Sequence, residues 1–97
     1  MKKLLSAALI LFLLLFTCAC FPVSEEASAE VHFIDVGQAD SILILSGDSA
    51  VLIDAGTNSA GEDVLKYIKE QGVSKIDYLI GTHPHEDHIG GLDTVIE

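Results

Sequence analysis

Thr82-His83-Pro84-His85-Glu86-Asp87-His88-Ile89-Gly90-Gly91 holds three of the chain's four histidines within six residues. Imidazole and carboxylate groups are the ligands of borderline divalent metals such as zinc, iron and manganese. The segment follows Ile76 to Gly81, an apolar run with few polar side chains that reads as a central strand. On a loop leaving that strand, His83 and His85 alternate and can point to one side together, whereas the adjacent Asp87 and His88 diverge. Four such ligands suit two ions better than one, with His83 and His85 on the first and Asp87 and His88 on the second. Ions roughly 3.5–4 Å apart can share a hydroxide and clamp the oxygens of a displacement. Pro84 stiffens the loop, and Gly90-Gly91 lets backbone pass close to the site. A solvated polar loop is the competing reading, and the concentration of histidine argues against it. From Ile89 onward the pattern predicts a helix.

Upstream, Val31 to Val36 alternates like a strand, and Gly37 to Asp40 reads as a turn. Ser41 to Leu45 is nearly continuous in apolar residues, which predicts burial on both faces. Ser46 to Ser49 is a second turn, and Ala50 to Ile53 a third strand, giving an antiparallel meander. After Asp54-Ala55-Gly56, Thr57 to Gly61 is a polar loop. Glu62 to Gln71 has helical spacing, with Val64, Leu65 and Ile68 as its apolar stripe, Tyr67 at the edge and Gly72 placed to end it. The order predicts an α/β (α+β) chain, a mostly antiparallel sheet covered by helices on one face. About seventy residues are marginal for an independent core. The other face would need a second layer, so an incomplete domain is expected.

The first residues read differently. Met1-Lys2-Lys3 is a basic start, and Leu4 to Phe16 is a 13-residue apolar run. That is the layout of a secretory signal, and it is short of the roughly 20 residues a spanning helix needs. Ala27-Ser28-Ala29 has the small-x-small form of a cleavage site, while Cys18 and Cys20 offer lipid-modification sites that match the lipoprotein pattern imperfectly. We expect a leader and linker over residues 1–29, a domain over 30–97, and an exported protein, secreted or lipid-anchored. Both cysteines lie in or beside the leader, so the domain has no disulfide framework and no zinc–thiolate site.

The formal charge is −10. With Lys2 and Lys3 assigned to the leader, 3 lysines face 15 acids, or −12, and arginine is absent. Such a surface does not by itself attract nucleic acid or anionic lipid. It tolerates clustered carboxylates that a bound cation neutralises.

Thr82 to Gly91 resembles the H-x-H-x-D-H signature of the metallo-β-lactamase-fold superfamily. Phe33-Ile34-Asp35-Val36-Gly37-Gln38-Ala39-Asp40-Ser41 and Leu52-Ile53-Asp54-Ala55-Gly56 resemble the opening strands of one branch. That branch includes the soluble hydrolase domain attached to bacterial DNA-uptake channel proteins. The resemblance runs from Val31 to the last residue. It implies an αββα sandwich of which this chain supplies the N-terminal half. It also implies two divalent ions, zinc first with manganese or iron as alternatives, and a bridging hydroxide as nucleophile. His83 and His85 would hold one ion and Asp87 and His88 the other, with Asp87 a candidate catalytic residue as well as a ligand. Asp54 matches the first acidic motif and would support the ligands from behind; a strand-end carboxylate receiving backbone bonds is the alternative. Asp35 and Asp40 match the branch pattern, with turn-shaping an equal reading. His32 lies outside the motif and is a strand residue. Ala39 stands where the branch has Gly; were φ positive there, strain of about 1 kcal/mol would follow. The family's later ligands, a further His, a bridging Asp and a final His, have no counterpart in the 97 residues.

The expected function of the full-length parent, of which this chain is the N-terminal part, is metal-dependent hydrolysis of phosphodiester or related ester bonds in a small-molecule or nucleic-acid substrate; the 97 residues alone are expected to show no efficient hydrolysis. β-Lactam hydrolysis fits the fold but not the opening motifs. The alternative is a truncated, inert, exported metal-binding fragment or lipoprotein. No motif indicates a protein partner, and membrane contact is expected only through the leader or a lipid anchor.

Overall fold

A computed structural model describes Met1 and residues 28–97. The apolar leader run, both cysteines and most of the linker lie outside the described residues. Strands β1 (Ala29–Phe33), β2 (Ile42–Ser46), β3 (Ser49–Ile53) and β4 (Tyr78–Ile80) form one sheet in that order. β1/β2 and β2/β3 pair antiparallel, and β3/β4 pair parallel. Gly47, first of the two residues between Ser46 and Ser49, has φ 55°, the positive value that a primed hairpin turn requires.

The period of two along each strand divides the sheet into two faces. Leu43 and Leu52 are paired across β2/β3 and point to one of them. Helix α1 (Gly61–Glu70) lays Val64 and Ile68 on this face, and none of the four exceeds 3% exposure. Leu79, Leu92 and Val95 pack around them. Two shorter helices, α2 (Glu86–Ile89) and α3 (Leu92–Ile96), complete the layer. Glu62 and Asp63 in the first turn of α1 and Lys69 in its last complement the helix dipole. Gly72 follows with φ 76° and ends the helix. Asp77 fixes the start of β4: its amide donates to the Ala50 carbonyl (2.8 Å) and its carboxylate accepts from the Ala50 amide (2.9 Å).

The opposite face carries two apolar rows, Val31–Ile44–Val51–Tyr78 and Phe33–Ile42–Ile53–Ile80. Phe33 is 79% exposed and Tyr78 67%. The expected burial of β2 on both faces is therefore corrected, since only Leu43 among its residues is buried. β4 ends the sheet among the described residues, where a central strand was expected. β1 runs two residues earlier and stops three residues sooner than its alternation suggested, because the chain turns over Asp35 to Asp40 once the Ile34 amide has bonded the Ser41 carbonyl. Among the described residues no helix is long and apolar enough to cross a membrane.

The two faces should respond differently to truncation. Leu52→Ala is expected to lower unfolding free energy by roughly 2–5 kcal/mol. Phe33→Ala on the open face should stay within about 0.5 kcal/mol. Urea midpoints of the two variants check which face is the core.

Candidate metal centre

Chain geometry at the C-terminal ends of β3 and β4 builds the site around Asp54-Ala55-Gly56. Asp54 N donates to the Ile80 carbonyl (2.8 Å), Ala55 N to the His88 carbonyl (2.8 Å) and Gly56 N to the Asp40 carbonyl (2.9 Å). Gly91 N returns a bond to the Gly56 carbonyl (3.1 Å), and Asp40 N reaches the Asp87 carbonyl (3.2 Å). Three segments far apart in sequence are thus stitched to one turn. Gly91 is buried against it: a Cβ there would meet the Ala55 carbonyl oxygen and Gly61 Cα at 2.8 Å. Glu86 Oε1 accepts from Asn58 N (2.9 Å) and ties the site loop to the turn before α1.

Asp54 itself has φ 57°, the one positive value among the described non-glycine residues. Asp tolerates this conformation better than most residues, at a cost near 1 kcal/mol. The turn points its carboxylate inward, and its side chain is 3% exposed. Oδ1 accepts from Thr82 N (2.8 Å), and Oδ2 accepts from Thr82 Oγ1 (2.6 Å) and His88 Nδ1 (2.9 Å). Ser41 Oγ donates to its main-chain carbonyl (3.1 Å). Burial pushes this carboxyl up, but the Thr82 hydroxyl, the Thr82 amide and His88 together outweigh burial and hold it below the usual carboxylate range.

In front of Asp54 stand the expected ligands. One donor atom each from His83, His85 and Asp87 lie within 4.8 Å of one another. Ligand atoms of a tetrahedral zinc stand about 3.4 Å apart, so these surface side chains would have to rotate to close on an ion. His88 Nε2 lies 3.5 Å from Asp87 Oδ2, so Asp87 touches the third histidine as well as closing on the first two. The His83 ring centroid is 3.8 Å from that of His88 and 4.8 Å from that of His85. The donor set fits a divalent metal on a further count. A carboxylate on Nδ1 of a histidine leaves Nε2 for the metal, the usual outer support of such ligands. The same carboxylate, with Asp87 and Asp40 nearby, raises the His88 pKa against the effect of its desolvation.

Sequence reasoning placed Thr82 to His88 as a loop with a helix from Ile89. In the structure the helix starts at Glu86 and includes Asp87 and His88, and Gly90-Gly91 interrupts it before α3. Ala39 does not take the positive φ considered for it; Gly37 does (73°), with its amide on Asp35 Oδ1 (3.2 Å). Asp35 thus shapes the turn, while Asp40 also reaches His88 Nδ1 at 3.5 Å. His32 is a strand residue whose Nδ1 meets the Tyr67 hydroxyl at 2.9 Å, away from the site. Thr82 was quoted in the motif without a role, and its hydrogen bonds to Asp54 give it one.

The family model described as Metallo-beta-lactamase superfamily matches residues 34–97. The chain is 29% identical over 92 residues to Recombination protein 2 of Haemophilus influenzae, covering 90% of this chain and 12% of that protein. It is 40% identical over 60 residues to Probable metallo-hydrolase YqgX of Bacillus subtilis (62% of this chain, 27% of that protein). It is 32% identical over 71 residues to Competence protein ComA of Neisseria gonorrhoeae (72% and 10%). The chain therefore spans only about a tenth to a quarter of these relatives' lengths. The competence relative agrees with the DNA-uptake branch that the opening motifs resemble. No solved structure matches the chain.

Asp54→Ala should cost roughly 1–3 kcal/mol by leaving buried donors without an acceptor. It should also weaken divalent-metal binding roughly 10–100-fold. Isothermal titration and urea unfolding check both effects. In the metal-free chain the pH response has two limbs. Asp54 is lowered on folding, so its contribution is complete above its unfolded value of about 3.9 and is lost as pH falls through the folded value. His88 is raised, so its contribution is complete below about 6.5 and is lost as pH rises through the folded value. Urea midpoints against pH should show both limbs, the acid one reduced in Asp54→Asn and the alkaline one in His88→Gln.

Proposed function

The chain belongs to the metallo-beta-lactamase superfamily, and from that premise we propose that the full-length protein to which it contributes hydrolyses phosphodiester or related ester bonds at a two-metal centre to which the His83–His88 loop supplies ligands. The observation that carries this reading is the convergence of His83, His85 and Asp87 beside a His88 already oriented by buried Asp54. The similarity to a protein named as a probable metallo-hydrolase supports hydrolysis. The similarity to recombination and competence proteins favours a phosphoester, in a small molecule or a nucleic acid.

Divalent ions, when bound, supply water activation near neutral pH and neutralise the charge that develops on the ester oxygens. This chain's residues supply placement. His83 and His85 would hold one ion and Asp87 and His88 the other. Asp87, at the junction of the two sets, would accept a hydrogen bond from the attacking water through its free carboxylate oxygen. Thr82 and Asp54 keep His88 from rotating. The α2 turn carries Asp87 and His88 on a backbone anchored to Ala55, so the ligands need little reorganisation. Zinc suits imidazole with carboxylate best, and manganese and iron are the alternatives.

We also propose export, on the Lys2-Lys3 start and the Leu4 to Phe16 run. A second reading, metal binding without turnover, is favoured by one observation. The apolar face bearing Phe33 and Tyr78 lies open beside a site whose His83 and His85 are exposed. Catalysis needs charge-stabilising donors opposite the nucleophile as well as ligands, and none stands over His83 and His85 among the described residues.

The test loads the purified full-length protein, and separately the 97-residue chain, from which no efficient turnover is expected, with zinc or manganese and assays an activated phosphodiester beside a β-lactam. Turnover of the phosphodiester by the full-length protein is expected, with His85→Ala losing more than the roughly 100-fold typical of an outer-shell partner. Full activity after metal removal, or preference for the β-lactam, would rule this reading out. Metal retention with no turnover of either would favour the second. Mass analysis of the mature N-terminus tests export, and an intact Met1 on a cytoplasmic protein would sink it.

A further inference from the structure

We propose that Thr82 is a positioning residue that fixes the tautomer of His83, relaying the acceptor capacity of Asp54 so that His83 presents Nε2 to a metal. The inference rests on reading the loop as a metal centre, and it concerns a residue to which neither the motif nor the family resemblance assigned a role.

Hydrogen-bond polarity fixes the tautomer. An ionised carboxylate can only accept. Asp54 Oδ2 lies 2.6 Å from Thr82 Oγ1, so the single hydroxyl proton of Thr82 is committed to Asp54. Thr82 cannot rotate away cheaply, because its own amide is bonded to Oδ1 of the same carboxylate at 2.8 Å. With its proton spent, Oγ1 has only lone pairs left to offer. His83 Nδ1 stands 3.3 Å from Oγ1. A neutral ring has one N–H, and only an Nδ1–H can complete this contact. The proton therefore sits on Nδ1, and the lone pair sits on Nε2. His88 follows the same logic directly: its Nδ1 is 2.9 Å from Asp54 Oδ2 and 3.4 Å from Thr82 Oγ1. One buried carboxylate thus sets two histidines, His88 by direct contact and His83 through the Thr82 hydroxyl. His85 has no such contact to Thr82 or Asp54 among the described residues, so its tautomer is left to the metal.

The arrangement separates Thr82 from an ordinary structural threonine. Thr82→Val keeps the shape but removes both the donor and the acceptor. Asp54 retains the Thr82-position amide and His88, so His88 keeps its Nδ1–H. His83 loses its acceptor and relaxes toward the Nε2–H form that a free imidazole side chain prefers. That form has its lone pair on the wrong nitrogen, so metal entry requires tautomer exchange first. The expected loss of affinity is roughly the 10–100-fold seen for outer-shell partners. Thr82→Ser keeps the hydroxyl and should restore both tautomer and affinity.

The test is long-range ¹⁵N–¹H correlation spectroscopy of the full chain, stripped of metal by chelator, above the pH range where its histidines are protonated. In the unaltered protein His83 and His88 should both show Nδ1–H. In Thr82→Val, His83 alone should change; in Thr82→Ser, neither should. Zinc titration of the three proteins should follow the same order. An Nε2–H His83 in the unaltered protein overturns the proposal without reference to any variant, even if Thr82→Val does not fold. So does a His83 signal that Thr82→Val leaves unchanged. Because no substrate enters the measurement, a protein with these tautomers but no phosphodiester turnover would sink the hydrolase reading and support this one.

Discussion

A buried carboxylate facing backward into the fold organises this protein. Asp54 ends β3, turns in the left-handed region, and spends its two oxygens on Thr82 and His88. An uncompensated buried carboxylate would cost several kcal/mol. Here two donors from the β4 exit and one from α2 compensate it, and in doing so they bind three segments into one corner. The main-chain bonds of Ala55 and Gly56 extend the same corner to His88 and to Asp40. The corner is thus both a folding element and the back wall of the candidate metal centre. A change that loosens one loosens the other.

The core behind that corner is small. Leu43, Leu52, Val64 and Ile68 are sealed between one sheet face and α1, and the other face shows eight apolar side chains in two rows, four of them exposed. Apolar area of this kind, contiguous and paired in register, is the surface that a second layer covers in a sandwich. The abundance of acids over lysines counters non-specific association through repulsion and does nothing for the face itself.

Much of this was legible in the sequence because it rests on local patterns. The turns that separate β1, β2 and β3, the stripe of α1, the Gly72 stop and the histidine spacing all report periods or turns of a few residues. What escaped depends on distant contacts. The edge position of β4 in the described sheet cannot be read from its apolar composition, since composition reports burial and not pairing order. The half-burial of Ile42 and Ile44 depends on what covers the second face. The positive φ of Asp54 has no signal in Leu52-Ile53-Asp54-Ala55-Gly56; it is imposed by Thr82 and His88, nearly thirty and more than thirty residues later. Helical Asp87 and His88 were hidden because a four-residue helix held by tertiary bonds leaves too short a period to detect.

The central claim is that the corner exists to hold divalent metal. The most direct measurement is elemental analysis of the protein after zinc loading and exhaustive dialysis, set beside the His83→Ala/His88→Ala double variant. The account predicts zinc retained by the unaltered protein at up to two ions per chain, as a two-metal centre requires, and lost from the variant while its helical circular dichroism persists. Equal retention by both proteins, or no retention by either, would contradict it.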